Sequence, residues 1–323
     1  MRAFSAALLM LLMVTSVGAI DIEPREGAGM EAKQALEQAD SLFTSRTYDS
    51  AFAHYTRAAE LGRDQADPAA EVEALAQMAR ISLIQGNVEK GQDLLKQAEA
   101  RGSESEPLGW SRYLGVRGRF EWQGGDLASA RETFQALLRY CDINGLWNRA
   151  VDAANMMVIV SETPEQQIEW SKRGIELAED YEVTAWLGPL WNNLAATYYD
   201  TEKYDSALTA YLKAREYHWQ HSGEMGKLWA DYSVGMAYRK LGEYEKAASW
   251  LRPVLAWAER IGDHGAIGQA CEDLGEVALA TGNNEEGVAY LKRAREQYQK
   301  AGYDESWPQV WQHINERLDD VQQ

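Results

Sequence analysis

The chain has 323 residues, 46% of them hydrophobic, and a formal net charge of −18. That is enough apolar content to bury a substantial core, so the chain is not disordered. The negative charge argues against nucleic acid as a partner, since phosphate backbones need a cationic footprint, and disfavours anionic membrane surfaces for the same reason.

Residues 1–19 read as an export signal. Arg2 gives a minimal positive end, "AALLMLLMV" from Ala6 to Val14 is an apolar run, and "SVGA" from Ser16 to Ala19 offers small residues before a cut after Ala19. The run is short for a membrane span, which needs about 20 residues. The expected product is periplasmic or secreted, with an uncleaved anchor as the competing outcome. Residues 20–30 read as a linker.

From residue 31 the sequence repeats itself. A small residue, a bulky one four later and a small or apolar one seven later recur as Ala51-Tyr55-Ala58, Gly91-Leu95-Ala98, Ala130-Phe134-Leu137, Ala207-Tyr211-Ala214, Ala247-Leu251-Val254 and Gly287-Leu291-Ala294. A degraded copy stands at Gln167-Ser171-Gly174, and the steps between first members are 40, 39, 37, 40, 40 and 40. Twelve residues before each anchor stands another small residue: Ala39, Ala79, Gly118, Ala195, Gly235 and Gly275, with Asn155 in the fourth copy. Between the two lies a break. Gly86, Gly125, Gly242 and Gly282 suit a left-handed helix terminus. Asn87, Asp126 and Asn283 after them suit helix N-caps, and Pro164 suits a first turn. Each copy is therefore helix, tight turn, helix. The small residues let two antiparallel helices approach until a bulky side chain of one meets the backbone of the other. Such a hairpin cannot bury its own apolar face and must stack on the next. The fold class is all-α, and residues 306–323, with Pro308 at the first turn, form a capping helix whose polar outer face carries Gln312, Glu316, Arg317 and Asp320.

The pattern resembles the tetratricopeptide repeat. Trp191, Leu194, Ala195, Tyr198, Tyr204, Ala207, Tyr211 and Ala214 fall on that family's signature, as does the stretch from Asp231 to Leu251, and the likeness runs from Glu31 to Glu296. It implies a right-handed α-α superhelix of about seven hairpins over residues 31–305. The period of about 40 exceeds the usual 34 of the family. The poor fourth copy implies an irregularity between Asn155 and Gly174.

No motif calls for a cofactor or for catalysis: G-x-S-x-G, H-E-x-x-H, a P-loop and a dinucleotide fingerprint are all missing. His218 and His221 share a helical face but lack a completing ligand set, and read as a solvated helix end. "EDLGE", Glu272 to Glu276, reads as a solvated acidic face. Cys141 and Cys271 lie in the third and seventh copies, far apart in a stacked array, and are expected to be free thiols.

The resemblance places the first helix of each hairpin on an inner, concave surface, with its non-signature positions facing the groove. This gives a peptide-binding set of Arg80, Arg112, Arg119, Trp122, Arg149, Asn192, Asn193, Tyr199, Trp229, Tyr232 and Arg239. Asp152, Met156, Met236, Glu272, Asp273 and Glu276 share the face. Arginine can clamp a carboxylate bidentately; the competing expectation is that these arginines pair with the array's own Glu and Asp. The function expected is a non-enzymatic protein-interaction scaffold or adaptor with a protein or peptide partner, no nucleic acid and no membrane insertion after signal cleavage. The alternatives are a helical-repeat enzyme or small-molecule binder in the same groove, and an adaptor using its convex face or ends.

Overall fold

A computed structural model describes residues 30–321. The expected signal segment lies outside the described residues. Those residues form sixteen α-helices and one 3-10 turn, with no strand among them. The chain divides into two compact units that meet in sequence at Leu190 and Trp191.

The first unit contains α1 (Met30–Thr44), α2 (Tyr48–Asp64), α3 (Pro68–Ile84), α4 (Val88–Arg101), α5 (Pro107–Gln123), α6 (Leu127–Asn144), α7 (Trp147–Val160) and α8 (Pro164–Asp180). The 3-10 turn Thr184–Trp186 and the start of α9 (Leu187–Asp200) follow. The second unit takes the rest of α9 with α10 (Tyr204–His221), α11 (Glu224–Lys240), α12 (Tyr244–Ile261), α13 (His264–Ala280), α14 (Asn284–Lys300), the short α15 (Tyr303–Ser306) and α16 (Pro308–Asp320). Each unit has its own hydrophobic core. One includes Leu36, Tyr55, Ile81, Phe134 and Met157; the other includes Tyr211, Leu228, Leu251, Leu291 and Ile314.

The small residues act as the spacing suggests. A Cβ on Gly118 would lie 2.7 Å from the Phe134 ring, one on Gly235 2.8 Å from Leu251, and one on Gly275 3.0 Å from Leu291. In each case the neighbour is the bulky residue of the same hairpin's second helix. Packing at crystal-like density leaves no room there for a larger side chain.

The hairpin turns are left-handed, with φ of +78° at Gly86, +86° at Gly125, +75° at Gly242 and +83° at Gly282. At the same place in the first and fifth hairpins stand Arg46 and Glu202, at φ +59° and +58°. A Cβ in this region crowds the following carbonyl and costs roughly 1–2 kcal/mol. Glu202→Gly should therefore stabilise the second unit by about 0.5–1 kcal/mol, the strain relieved less the greater chain entropy of glycine, read as a higher melting midpoint for that unit. An unchanged or lower midpoint would contradict it. Of the three expected N-caps only Asp126 bonds, accepting from the Ser129 N–H. Asn87 and Asn283 make no side-chain cap bond.

The irregularity expected between Asn155 and Gly174 lies in the hairpin turn: the other six hairpins turn through a left-handed residue, whereas here Ser161 (φ −71°, ψ 146°) and Thr163 (φ −126°, ψ 152°) are extended. Helix α8 is regular, started by Pro164 and capped by Thr163, whose hydroxyl accepts from the Gln166 N–H. Ser171 is fully buried, and a Cβ on Gly174 would meet Leu190 at 2.8 Å. Small residues keep the crossing close even where the signature is lost. A second departure lies later, at the turn Thr184–Trp186, whose Trp186 is buried.

Helix α16 closes the second unit with Ile314 and Leu318 buried. Arg317, expected on its outer face, instead donates two bonds to Glu276, at 2.6 and 3.0 Å. Cys141 and Cys271 are free and buried, and burial pushes the Cys271 thiol up to about 11. Among the described residues no helix is long and apolar enough to cross a membrane.

Candidate functional site

In the first unit α5 lies directly on α3. Gly109 permits this: its Cβ would stand 3.1 Å from the Val72 Cβ and 3.2 Å from the Ala69 Cα. The approach carries Arg112 of α5 and Arg149 of α7 to Glu73 of α3. Arg149 donates to Glu73, to the Leu108 carbonyl and, at 2.5 Å, to the Ser111 hydroxyl. The Arg112 Nε stands 3.8 Å from the Glu73 carboxylate. Arg119 grips both oxygens of Asp152, at 2.8 and 2.9 Å, and the Gly115 carbonyl at 2.9 Å. Arg80 is buried, its guanidinium 5.0 Å from the centre of the Phe43 ring. Four of the arginines assigned to the groove thus converge, but inside the unit. Arg112 and Arg149 are only 4% and 3% exposed, too deep to meet a partner's side chain without repacking. Trp122 is half-buried against the same core.

The connector between α4 and α5 spans residues 102–106, against 145–146 between α6 and α7. Beside this joint a cleft opens between the two helices, with Leu95, Tyr113 and Phe120 among its walls and Glu99 and Arg117 at its edge. Tyr113 donates to Glu99 at 2.7 Å. Burial, then that bond to a carboxylate, pushes its phenol up to about 12. The only sequence signal for this cleft was the length of "GSESE".

In the second unit Arg239, Tyr232 and Tyr199 lie near a buried carboxylate. Asp273 of α13 is 4% exposed. The Arg239 Nε from α11 lies 2.5 Å from its Oδ1. Burial pushes the Asp273 carboxyl above its ordinary value, with Arg239 acting against the shift. The acidic run is therefore not a solvated face: Glu272 accepts from Tyr298 at 2.6 Å and meets His313 at 3.3 Å, and Glu276 holds Arg317. Its carboxylates tie α13 to α14 and to the capping helix.

Around this centre Tyr232 is buried, and burial followed by the Asp273 charge raises its phenol well above the usual range. Trp229 meets Tyr232 edge to face, ring centres 5.5 Å apart. Asn193 is buried, whereas Asn192, Tyr199, Trp229 and Arg239 are half-buried and reach solvent. Lys240 stands 6.0 Å from the Tyr199 ring.

His218 is a correction. It is 4% exposed, not solvated, because the end of α10 folds it in beside Ser222, whose hydroxyl lies 2.7 Å from its Nδ1. On the same helix Arg215 sits between Trp219 and Trp250, 4.9 and 5.0 Å from the ring centres. It also pairs with Asp231 at 2.5 Å.

Residues 188–216 and 227–300 match models of the tetratricopeptide repeat. Over those two segments the chain is similar to tetratricopeptide repeats. No curated relative matches the sequence. Among solved structures it resembles the apo form of RapI, with a TM-score of 0.65 at 15% identity over 83% of this chain and 77% of that one. A signal transduction ATPase with a tetratricopeptide repeat sensor from Pyrococcus horikoshii gives a TM-score of 0.65 at 14% identity, covering 92% of this chain and 56% of its own. A Rap protein complexed with Competence and Sporulation Factor gives 0.55 at 15% identity, covering 90% and 87%. At these identities the likeness establishes the all-α tetratricopeptide-like solenoid.

Proposed function

We propose that the chain is an exported, non-enzymatic interaction protein that holds a segment of a partner protein on the face of α9 and α11 in its second unit. One observation carries the assignment of the surface. The arginines of the first unit are engaged by the chain's own carboxylates and carbonyls, as Arg239 is by Asp273, whereas Asn192, Tyr199 and Trp229 of the second unit remain partly accessible. Trp229 and Tyr199 would anchor apolar side chains, and Asn192, with an amide donor and acceptor, would bond the partner's backbone. Half-buried aromatics of this kind often dominate interface energy. The Rap complex with Competence and Sporulation Factor supports partner-holding as a use of this fold.

The test is capture of the partner from the envelope fraction, mapping of the bound segment, and titration of that segment against wild type and variants. Trp229→Ala should weaken binding tenfold or more, the loss of roughly 2 kcal/mol typical of an aromatic anchor. Arg119→Ala should leave affinity unchanged while lowering stability. Equal affinity for folded Trp229→Ala and wild type would remove this face from the site.

Export rests on Arg2, the apolar run from Ala6 to Val14 and the small residues up to Ala19. Intact-mass measurement of the native protein should find Ile20 at its start. A mass that includes Met1 would overturn the assignment of a cleaved signal.

A further inference from the structure

Elsewhere in the first unit the second helix of one hairpin packs along the first helix of the next, α2 on α3 and α6 on α7, whereas α4 makes much less contact with α5. The two are pinned at two places. At one, the Phe120 ring lies against Gly91, where a Cβ would stand 2.6 Å from the ring. At the other, Tyr113 donates to Glu99 at 2.7 Å. Gly91 and Glu99 are two helical turns apart, about 12 Å along α4. Between the pins the helices leave the cleft already described, with a volume of about 480 Å³, within the range of small-molecule sites.

Leu95 and Phe120 give the cleft apolar walls, and its charged lining is balanced, with Lys96 and Arg117 against Glu99 and Glu121. Arg117 donates to Glu121 at 2.8 Å, and Glu99 uses one oxygen, Oε1, for Tyr113. The Lys96 side chain is 75% exposed and stands 3.6 Å from Asp93, a surface pair that a ligand displaces at little cost. A ligand of either sign alone would meet opposition from half of these charges, whereas one bearing both signs finds a complement for each. Lys96 and Glu99 are three apart on α4, so their side chains are neighbours on one face. That spacing suits an ammonium and a carboxylate borne on the same carbon. The two ends of a peptide stand further apart, since each added residue moves the chain by about 3.8 Å. We infer that the cleft binds a free apolar α-amino acid, its side chain between Leu95 and Phe120, its carboxylate toward Lys96 and Arg117 and its ammonium toward Glu99.

The probe is L-phenylalanine, titrated into the full chain in a calorimeter, where it should give a saturable heat. Phenethylamine lacks the carboxylate and 3-phenylpropionate the ammonium; each should bind about fivefold more weakly, the scale of one exposed charge contact. Glycine, without an apolar side chain, should give no saturable heat. Two variants on α4 separate the charges. Lys96→Gln removes an exposed cation and should fold; it should narrow the preference for phenylalanine over phenethylamine and leave that over 3-phenylpropionate. Glu99→Gln keeps an acceptor for Tyr113 and should do the reverse. Melting curves matching wild type establish that both are folded, and the analogue series on wild type stands without them. No saturable heat from phenylalanine, equal affinity for the three aromatic probes, or preferences unchanged in either folded variant would overturn the assignment.

Discussion

Glu73→Gln should destabilise the first unit by about 3–5 kcal/mol, the cost typical of removing one partner from a buried ion pair. Glu73 is 1% exposed and serves two arginines that are themselves buried, Arg112 and Arg149. Glutamine keeps the shape and one acceptor but removes the charge, so both guanidiniums lose their carboxylate where water cannot replace it. Glu60→Gln provides the contrast. Glu60 meets Arg57 at 3.6 Å with both side chains more than half exposed, and the loss should stay within about 0.5 kcal/mol. Denaturant titrations of the three proteins decide the matter. A Glu73→Gln loss no larger than that of Glu60→Gln would mean that the buried pairs contribute nothing net.

The second large effect is on pH. Burial alone pushes the His218 imidazole down from 6.5 to about 4. A basic group whose folded value is depressed binds its proton less readily in the native state than in the unfolded chain. Its contribution is fully present above the unfolded value of 6.5 and is lost as pH falls toward 4. The drop corresponds to about 3 kcal/mol at 1.36 kcal/mol per pH unit. Two other groups act in the opposite sense. Asp273 and His313 both have raised folded values, so their contributions are present at low pH and lost as pH rises. The comparison must therefore be made against His218→Gln, which shares both groups. Between pH 7 and 4.5, wild type should lose about 2–3 kcal/mol more than His218→Gln does. Parallel pH profiles for the two proteins would show that His218 does not titrate in this range.

Much of the fold was legible because hairpin packing depends on residue volume at fixed spacing, and volume can be read from sequence. Gly118, Gly235 and Gly275 were identifiable as crossing points before their bulky neighbours were seen. The fourth hairpin, irregular at its turn, keeps its close crossing for a related reason. Ser171 and Gly174 break the signature but are small, and smallness is what the crossing requires. The candidate site was less legible. The family resemblance placed Arg80, Arg112, Arg119 and Arg149 on one face, yet it could not show that Gly109 draws α5 onto α3 and closes that face over them. His218 and the run from Glu272 to Glu276 were read as solvated because polar residues usually are. Their burial depends on Ser222, Arg239, Tyr298 and Arg317, none of which is adjacent in sequence.

The two separate hydrophobic cores bear on every stability measurement made on this chain. A protein with one core loses its structure in a single cooperative step, and one midpoint describes it. Two cores are expected to unfold in two transitions, each with its own enthalpy and midpoint. A scan fitted to one transition would report a blend belonging to neither half, and a width that imitates weak cooperativity. Glu73 and His218 lie in different halves, so each substitution should displace one transition and leave the other where it was. The undisturbed half becomes an internal standard in the same cuvette.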